Sequence, residues 1–222
     1  MGATVDNASF SKEQWAEATK NCCGLKMYLE QTFGPINLKN DFTLWGRFFA
    51  SLPPNKVICV HAEHTNVAAT LLLAQFHKRH VHVCHVSKRD EMLMIREAKE
   101  RGIAVSCEVC PHHLFLTQQR AEQMLAERSL PASCSSVKPA LGIDEDVQAL
   151  WDNLEYIDCF ATDHAPHTLL EKTGATGASV PPGFPGLETM LPLLLTAVHD
   201  GTFESFFSLL SFRTVNIEYC TL

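Results

Sequence analysis

Eleven histidines draw attention in this 222-residue sequence because they are grouped, not scattered. Histidine is the commonest protein ligand for metal ions, so such groups suggest metal chemistry. Exposed or hydrogen-bonded histidines are the simpler alternative, and the choice depends on where the groups lie in the fold. Most of them lie in four short stretches, at residues 61–64, 77–85, 112–113 and 164–167.

Four of the side chains that can bind metal, His61, His85, Glu108 and Asp163, suit one or two divalent cations, and imidazole-rich sites prefer zinc. Lys26 lies in an apolar run, where a charged lysine is costly. Its neutral amine can be nucleophilic, and near a metal it can take up carbon dioxide to form a carbamate that bridges two cations. A lysine that extends to water and pairs with a carboxylate is the alternative.

Short apolar runs precede most of these residues and are typical of strands buried on both faces. The predicted strands are Gly24–Leu29, Val57–Ala62, Val81–Val86, Val105–Cys110 and Ile157–Ala161. Helical patterns alternate with them, and the predicted helices are Lys12–Asn21, Asn66–Lys78, Lys88–Arg101, Asp144–Asn153 and Leu187–His199. Ser11 and Gln14 fit a capping box for the first helix, and Pro192 is expected to disturb the last.

The spacing of the candidate residues indicates parallel βα units. Positions 26, 61, 85 and 108 are separated by 35, 24 and 23 residues, and one βα unit takes roughly 30 residues. Both a (β/α)₈ barrel and a doubly wound sheet place ligands at the carboxyl ends of their strands. Metal-capable side chains at successive strand ends favour the barrel, so the predicted fold class is α/β with a (β/α)₈ (TIM) barrel.

Composition excludes several classes of partner. The formal net charge of -7 argues against nucleic acid or an anionic membrane as the main partner. The first twenty residues carry charges in place of the apolar run of a signal peptide. Nine cysteines without such a signal indicate reduced thiols. The sequence therefore predicts a soluble, cytoplasmic protein.

Two local motifs have competing interpretations. Cys107-x-x-Cys110 resembles half a zinc knuckle or a redox pair, but no second such motif follows, so two core thiols are expected. His80-Val81-His82 resembles a paired-histidine metal motif. Because His82 and His85 are three residues apart on one strand, we expect their side chains on opposite faces and do not include His82 among the ligands.

Several segments together form a longer pattern, and they are Gly24–Leu29 with Thr32-Phe33, His61–Glu63, Cys84–Val86, Cys107–Val109, Pro111–Leu116, Ala161–His167 and Pro181–Glu188. In this order they resemble the strand ends of dihydroorotases, which belong to the metal-dependent amidohydrolases. The resemblance extends from Gly2 to about Phe207 and is closest to the dihydroorotase domain of the animal trifunctional pyrimidine-synthesis polypeptide.

The resemblance implies a zinc enzyme that interconverts N-carbamoyl-L-aspartate and L-dihydroorotate in pyrimidine biosynthesis. Lys26 would be the carboxylated lysine between two zinc ions, and His61 and His85 would bind one zinc and Asp163 the other. A hydroxide between the metals would attack the ring amide while Asp163 shuttles the proton. Cys84 and Glu108 match residues linked with a third zinc in the animal domain.

The resemblance also implies residues that contact the substrate. Thr32 and Phe33 match a loop that closes over it, whereas His167, Pro182 and Gly183 match positions that hold its carboxylate and ring. Lys138 stands where the animal domain has an arginine for the carboxylate. Lysine keeps the charge but loses the bidentate fork.

The sequence also departs from the family pattern. The paired histidines of the family's first strand have no counterpart here, so we expect a partial barrel over residues 1–212, without its first strands, and an isolated chain that is inactive. Residues 213–222 form an off-pattern tail. The expected assembly is a homo-oligomer or part of a multienzyme polypeptide. The alternatives are a related cyclic amidohydrolase acting on hydantoins or dihydropyrimidines, and a non-catalytic zinc-binding or assembly fragment.

Overall fold

The computed structural model describes residues 1–32, 37–38, 40–175 and 177–202. They divide into two compact units. Unit 1 comprises residues 1–84 and 90–108, and unit 2 comprises residues 85–89 and 109–202. The tail predicted at residues 213–222 lies outside the described residues.

The described strands form a sheet in sequence order, which confirms the predicted βα alternation. Its members are β1 (Gly24–Tyr28), β2 (Val57–His61), β3 (Val81–Val83), β4 (Val105–Val109) and β5 (Cys159–Phe160). The pairs β1–β2, β2–β3 and β3–β4 are parallel. In unit 2 the N–H of Ala161, just after β5, donates to the carbonyl of Val109 at the end of β4 (3.1 Å).

The strand register places polar side chains of unit 1 in rows across one face of the sheet. Lys26 pairs with Cys59, Cys59 with His82, and His82 with Ser106. Residues that pair between parallel strands project to the same face, and so does the residue two positions further along. Glu108, two residues beyond Ser106, therefore projects to the face that carries Lys26.

All five predicted helices are present, with ends that differ from the prediction by at most three residues. The described helices are α1 (Lys12–Ala18), α2 (Phe42–Ser51), α3 (Thr65–His77), α4 (Arg89–Glu100), α5 (Pro111–Phe115), α6 (Gln118–Glu127), α7 (Asp144–Asp152), α8 (Leu169–Lys172) and α9 (Met190–His199). The capping box of Ser11 and Gln14 is present. Helix α9 begins at Met190 and not at Leu187, so Pro192 lies in its first turn, where proline is tolerated.

The core of unit 1 forms around large apolar side chains. Trp15 of α1 and Trp45, Phe48 and Phe49 of α2 are at most 2% exposed. The edge of the Trp15 ring meets Phe48, with the ring centroids 6.1 Å apart. Burying one such side chain contributes about 2 to 3 kcal/mol, so these helices are held to their side of the sheet by burial of one face.

Unit 2 has a smaller core and longer connections. Ala121, Val137 and Leu141 are buried together, and Leu116 and Phe184 pack against them. Among the described residues, no helix is both long and apolar enough to cross a membrane.

Candidate functional site

Three predicted site residues of unit 1, Lys26, Cys84 and Glu108, lie together. Lys26 follows Leu25 on β1 and is half-buried, with Nζ 5.3 Å from the centre of the Tyr28 ring. The Lys26 ammonium forms a hydrogen bond with the Cys84 thiol and is also attracted by Glu108. An amine, a thiol and a carboxylate thus converge from β1, the end of β3 and β4.

His82 belongs to this group, which corrects the expectation that it faces away. Its Nε2 lies 3.1 Å from a carboxylate oxygen of Glu108, and its Nδ1 lies 2.8 Å from the Ser106 hydroxyl. Donor atoms of His82, Cys84 and Glu108 all lie within 4.8 Å of one another, a spacing that could hold a metal ion. The prediction for His82 assumed that His82 and His85 lie on one strand. Because β3 ends at Val83, the alternation of side chains between the two faces does not extend to His85.

Burial and charge set the protonation of this group. Burial alone lowers the pKa of Lys26, but Cys84, Tyr28 and Glu108 more than offset it, so the pKa is raised and the amine is protonated. Burial raises the pKa of Cys84 to about 12 and that of Cys59 to about 11, although Lys26 opposes both shifts. The raised pKa of Lys26 does not favour a neutral amine, and the carboxylation of Lys26 stays a prediction.

His61 lies at the carboxyl end of β2, as predicted for a metal ligand. It is 2% exposed, and its Nε2 is 3.4 Å from a carboxylate oxygen of Glu63. Its ring also packs near Tyr28, with 6.0 Å between ring centroids. Thr32, the predicted loop residue of this unit, is half-buried, and Phe33 lies outside the described residues.

In unit 2, His85 and Asp163 share an unusual backbone conformation. Both follow a strand and have positive φ values, 38° at His85 and 41° at Asp163. Positive φ is uncommon outside glycine, and such strain concentrates at functional sites, where the surrounding structure maintains it. His85 is buried and Asp163 is exposed. Their predicted roles as zinc ligands stay predictions.

The loop that carries Pro182 and Gly183 is held by a buried lysine that the sequence argument missed. The Nζ of Lys172 donates to the carbonyls of Ser136 (2.6 Å), Pro181 (3.1 Å) and Gly183 (3.2 Å). The Gly183 N–H also donates to the Ser136 carbonyl (3.0 Å). These bonds tie the predicted substrate loop to the segment that leads to Lys138, whose side chain is exposed.

His164 orders a second turn of unit 2. Its Nδ1 accepts hydrogen bonds from the backbone N–H groups of Gly186 (3.0 Å) and Leu187 (3.3 Å). His167, the predicted substrate contact nearby, is half-buried in the loop before α8. The sequence marked His164 only as part of a motif. Its role depends on a contact 22 residues away, which local patterns do not reveal.

Comparison with known sequences gives two informative relatives, while no family model matches the chain. The chain is 49% identical over 201 residues to the multifunctional protein pyr1-3 of Dictyostelium discoideum, an overlap that covers 90% of this chain and 8% of that protein. It is 43% identical over 139 residues to a dihydroorotase of Staphylococcus epidermidis, which covers 61% of this chain and 30% of that enzyme.

Solved structures agree with this relationship. The inactive dihydroorotase-like domain of a Chaetomium thermophilum CAD-like multifunctional protein matches 96% of this chain and 58% of its own, with a TM-score of 0.68 and 27% identity. L-Hydantoinase from Arthrobacter aurescens matches 95% of this chain and 52% of its own, with a TM-score of 0.80 and 22% identity. The fold is therefore part of an amidohydrolase (β/α)₈ barrel, as predicted. By sequence, the chain is similar to dihydroorotases and to part of a multifunctional protein.

Proposed function

We propose that this chain carries the site of a dihydroorotase, which interconverts N-carbamoyl-L-aspartate and L-dihydroorotate. The main support is the 43% identity to a dihydroorotase together with the grouping of Lys26, Cys84 and Glu108. The chain spans 30% of that relative's length and 8% of the multifunctional one, so the activity of the whole protein belongs to this proposal.

The donor set of unit 1 fits zinc. Imidazole, thiol and carboxylate are the groups that zinc binds, and His82, Cys84 and Glu108 bring one of each within 4.8 Å. In the proposed site His61 and His85 would hold one zinc, Asp163 would hold another, and Lys26 would contribute a carbamate ligand. Cys84 and Glu108 would hold a third. Bound zinc supplies a Lewis acid for the amide carbonyl and lowers the pKa of water.

The remaining residues bind substrate and move protons. Asp163 accepts a proton from the attacking water during ring opening and passes it to the leaving ring nitrogen, and both transfers reverse during ring closure. Its exposed carboxylate is accessible for these transfers. Lys138 offers a single positive charge to the substrate carboxylate, without a bidentate fork. His167, Pro182 and Gly183 hold the ring.

Two further residues and the setting complete the proposal. We also propose that Thr32 and Phe33 contact the substrate, as the resemblance to dihydroorotases implies. The similarity to two multifunctional proteins supports a place in a multienzyme polypeptide. We propose this assembly, or a homo-oligomer, and we propose that it acts in the cytoplasm. The eight cysteines of the described residues are free thiols, which suits a reducing compartment.

The test is ring opening of dihydroorotate by the purified 222-residue chain with zinc and bicarbonate. The isolated chain is expected to lack turnover, and any turnover that it shows should be lost in Asp163→Asn and Lys26→Ala. Asp158→Asn is the matched control because Asp158 lies just before β5, at the end opposite to Asp163. Equal turnover in the Asp163 and Asp158 variants would contradict the assigned proton transfer. Hydrolysis of hydantoin or dihydrouracil in preference to dihydroorotate would point to the related class of cyclic amidohydrolase.

A second candidate function is a non-catalytic, zinc-binding assembly segment. It is favoured by the similarity to an inactive dihydroorotase-like domain. Zinc content measured on the same samples separates the two functions. Zinc retained through Lys26 and Glu108, without turnover, would support the non-catalytic segment. A folded chain whose zinc content does not change in Lys26→Ala or Glu108→Ala would contradict both.

A further inference from the structure

A second group of metal-capable side chains lies in unit 2, at the point where β4 leads into α5. Cys110 directly follows β4, and His112 and His113 lie in the first turn of α5, which begins at Pro111. One donor atom from each of Cys110, His112 and His113 lies within 4.8 Å of the other two. The two imidazole rings are 4.3 Å apart between centroids. None of these residues belongs to the proposed hydrolase site.

The two histidines of this group have buried nitrogens without hydrogen-bond partners. Cys110 is fully buried, and His112 and His113 are 8% and 1% exposed. The Nε2 of His112 and the Nδ1 of His113 have no partner. Leaving a buried polar atom unsatisfied costs about 1 to 3 kcal/mol, so such atoms call for an explanation.

The tautomer of His113 follows from its one hydrogen bond. Its Nε2 lies 3.0 Å from the carbonyl of Pro139, and a carbonyl only accepts, so this nitrogen carries the proton and donates. The lone pair therefore lies on the buried Nδ1. A ring fixed by a backbone carbonyl on one nitrogen and open on the other is the usual arrangement of a metal-binding histidine.

Both rings are also in the protonation state that metal binding requires. Burial lowers the pKa of His112 to about 4. Burial, followed by the neighbouring His112, lowers the pKa of His113 to about 3, although its bond to Pro139 opposes the shift. Both imidazoles are consequently neutral at physiological pH, so no proton has to be removed from them before a cation binds.

We propose that Cys110, His112 and His113 form a separate metal site that binds one zinc ion. A thiolate with two imidazoles binds zinc in preference to magnesium or calcium, because those two ions take oxygen ligands. On binding, the Cys110 thiol releases its proton to solvent and a sulfur–zinc bond forms. His112 also lines a cavity of about 320 Å³ with Phe115, Phe184 and Leu193.

The site also gives a different meaning to the Cys-x-x-Cys motif. The sequence predicts that Cys107 and Cys110 are two core thiols, and both are fully buried. Of these two cysteines, only Cys110 belongs to the described group whose donor atoms lie within 4.8 Å of one another. Cys107 therefore serves as a matched control. The two cysteines lie three residues apart and are equally buried, but only one is expected to bind metal.

The test uses cobalt(II) as a spectroscopic substitute for zinc in the full 222-residue chain. Sulfur coordination produces a charge-transfer absorption band, which Cys84 can also contribute. Cys110→Ala should remove part of the band and one zinc ion per chain, and His113→Asn should remove the same part. Cys107→Ala should leave both unchanged, and Cys84→Ala should remove only a different part. Equal spectra for Cys110→Ala and Cys107→Ala would overturn the proposal.

A second measurement needs no substitution and so covers the case in which a variant fails to fold. Ring ¹⁵N resonances of the histidines are recorded while zinc is added to the unmodified chain. The Nδ1 resonance of His113 should move by the amount typical of metal coordination, while its Nε2 keeps its proton. An unchanged Nδ1 resonance in zinc-saturated protein would assign the two histidines a purely structural role and overturn the site.

Discussion

Replacing Lys172 with methionine should destabilise unit 2 because this buried ammonium is the common partner of three backbone carbonyls. The acceptors belong to Ser136, Pro181 and Gly183 at 2.6, 3.1 and 3.2 Å. Lys172 is 7% exposed, and burial lowers the pKa of its amine. The cost of removing the ammonium from water therefore offsets part of the stabilisation that its hydrogen bonds provide. Methionine keeps an apolar side chain of similar length next to Phe184 but removes the ammonium that donates all three hydrogen bonds.

The size of the effect follows from which carbonyls lose their partner without access to water. The bonds to Pro181 and Gly183 are buried, whereas the bond to Ser136 is partly buried and water can replace it. An unsatisfied buried acceptor costs about 1 to 3 kcal/mol, and relief of the buried charge recovers some of that cost. We therefore expect a loss of about 2 to 3 kcal/mol in the free energy of unfolding.

Two measurements check this expectation. Urea unfolding gives the global change, with Lys12→Met as the control because Lys12 is an exposed lysine at the start of α1. Hydrogen exchange at the Gly183 amide, which donates to Ser136, gives the local change. A loss of 2 kcal/mol corresponds to a roughly 30-fold faster exchange. If Lys172→Met and Lys12→Met unfold at the same urea concentration, the ammonium does not hold this loop.

Three further predictions address single contacts. Gly183→Ala should cost about 2 to 4 kcal/mol in thermal unfolding, since φ is +142° and the new Cβ would lie 2.6 Å from the Cβ and carbonyl oxygen of Ala165. Ser11→Ala removes the N-cap of α1 and should cost about 1 kcal/mol, with Ser11→Thr, which keeps a capping hydroxyl, as the control. Asp90→Asn should lower the pKa of His64 in an NMR titration, because the hydrogen bond that His64 donates to the Asp90 carboxylate raises it. The stabilisation from this pair is present below a pH of about 6.5 and lost as the pH rises through the folded-state pKa.

The sequence predicted the strands well because their signal is local. A run such as Val57–His61 is mostly apolar and β-branched, and the polar His61 that ends it is visible in the sequence. The positions of Lys26, His61 and Glu108 followed from that pattern and from the resemblance to dihydroorotases. The helix ends were less accurate, since the caps depend on one or two hydrogen bonds.

Other features could not be read from the sequence because they depend on register and on distant contacts. Whether His82 faces Glu108 depends on the pairing of Val83 with Cys107, and a shift by one residue would reverse it. The bonds of Lys172 reach acceptors 36 and 9 residues away along the chain. Alternation of side chains also fails where a strand ends early, as it does before His85.

The two donor groups should differ in which metals they accept. The group of unit 1 includes the carboxylate of Glu108, an anionic oxygen donor that hard cations also bind, whereas the described donors at Cys110, His112 and His113 are one sulfur and two nitrogens. Manganese(II) should therefore compete with zinc in unit 1 and leave the unit 2 group unaffected. A titration with zinc alone measures binding to both groups together. Zinc binding in the presence of manganese(II) distinguishes the two groups, because manganese competes only where an oxygen donor is present and no residue has to be replaced.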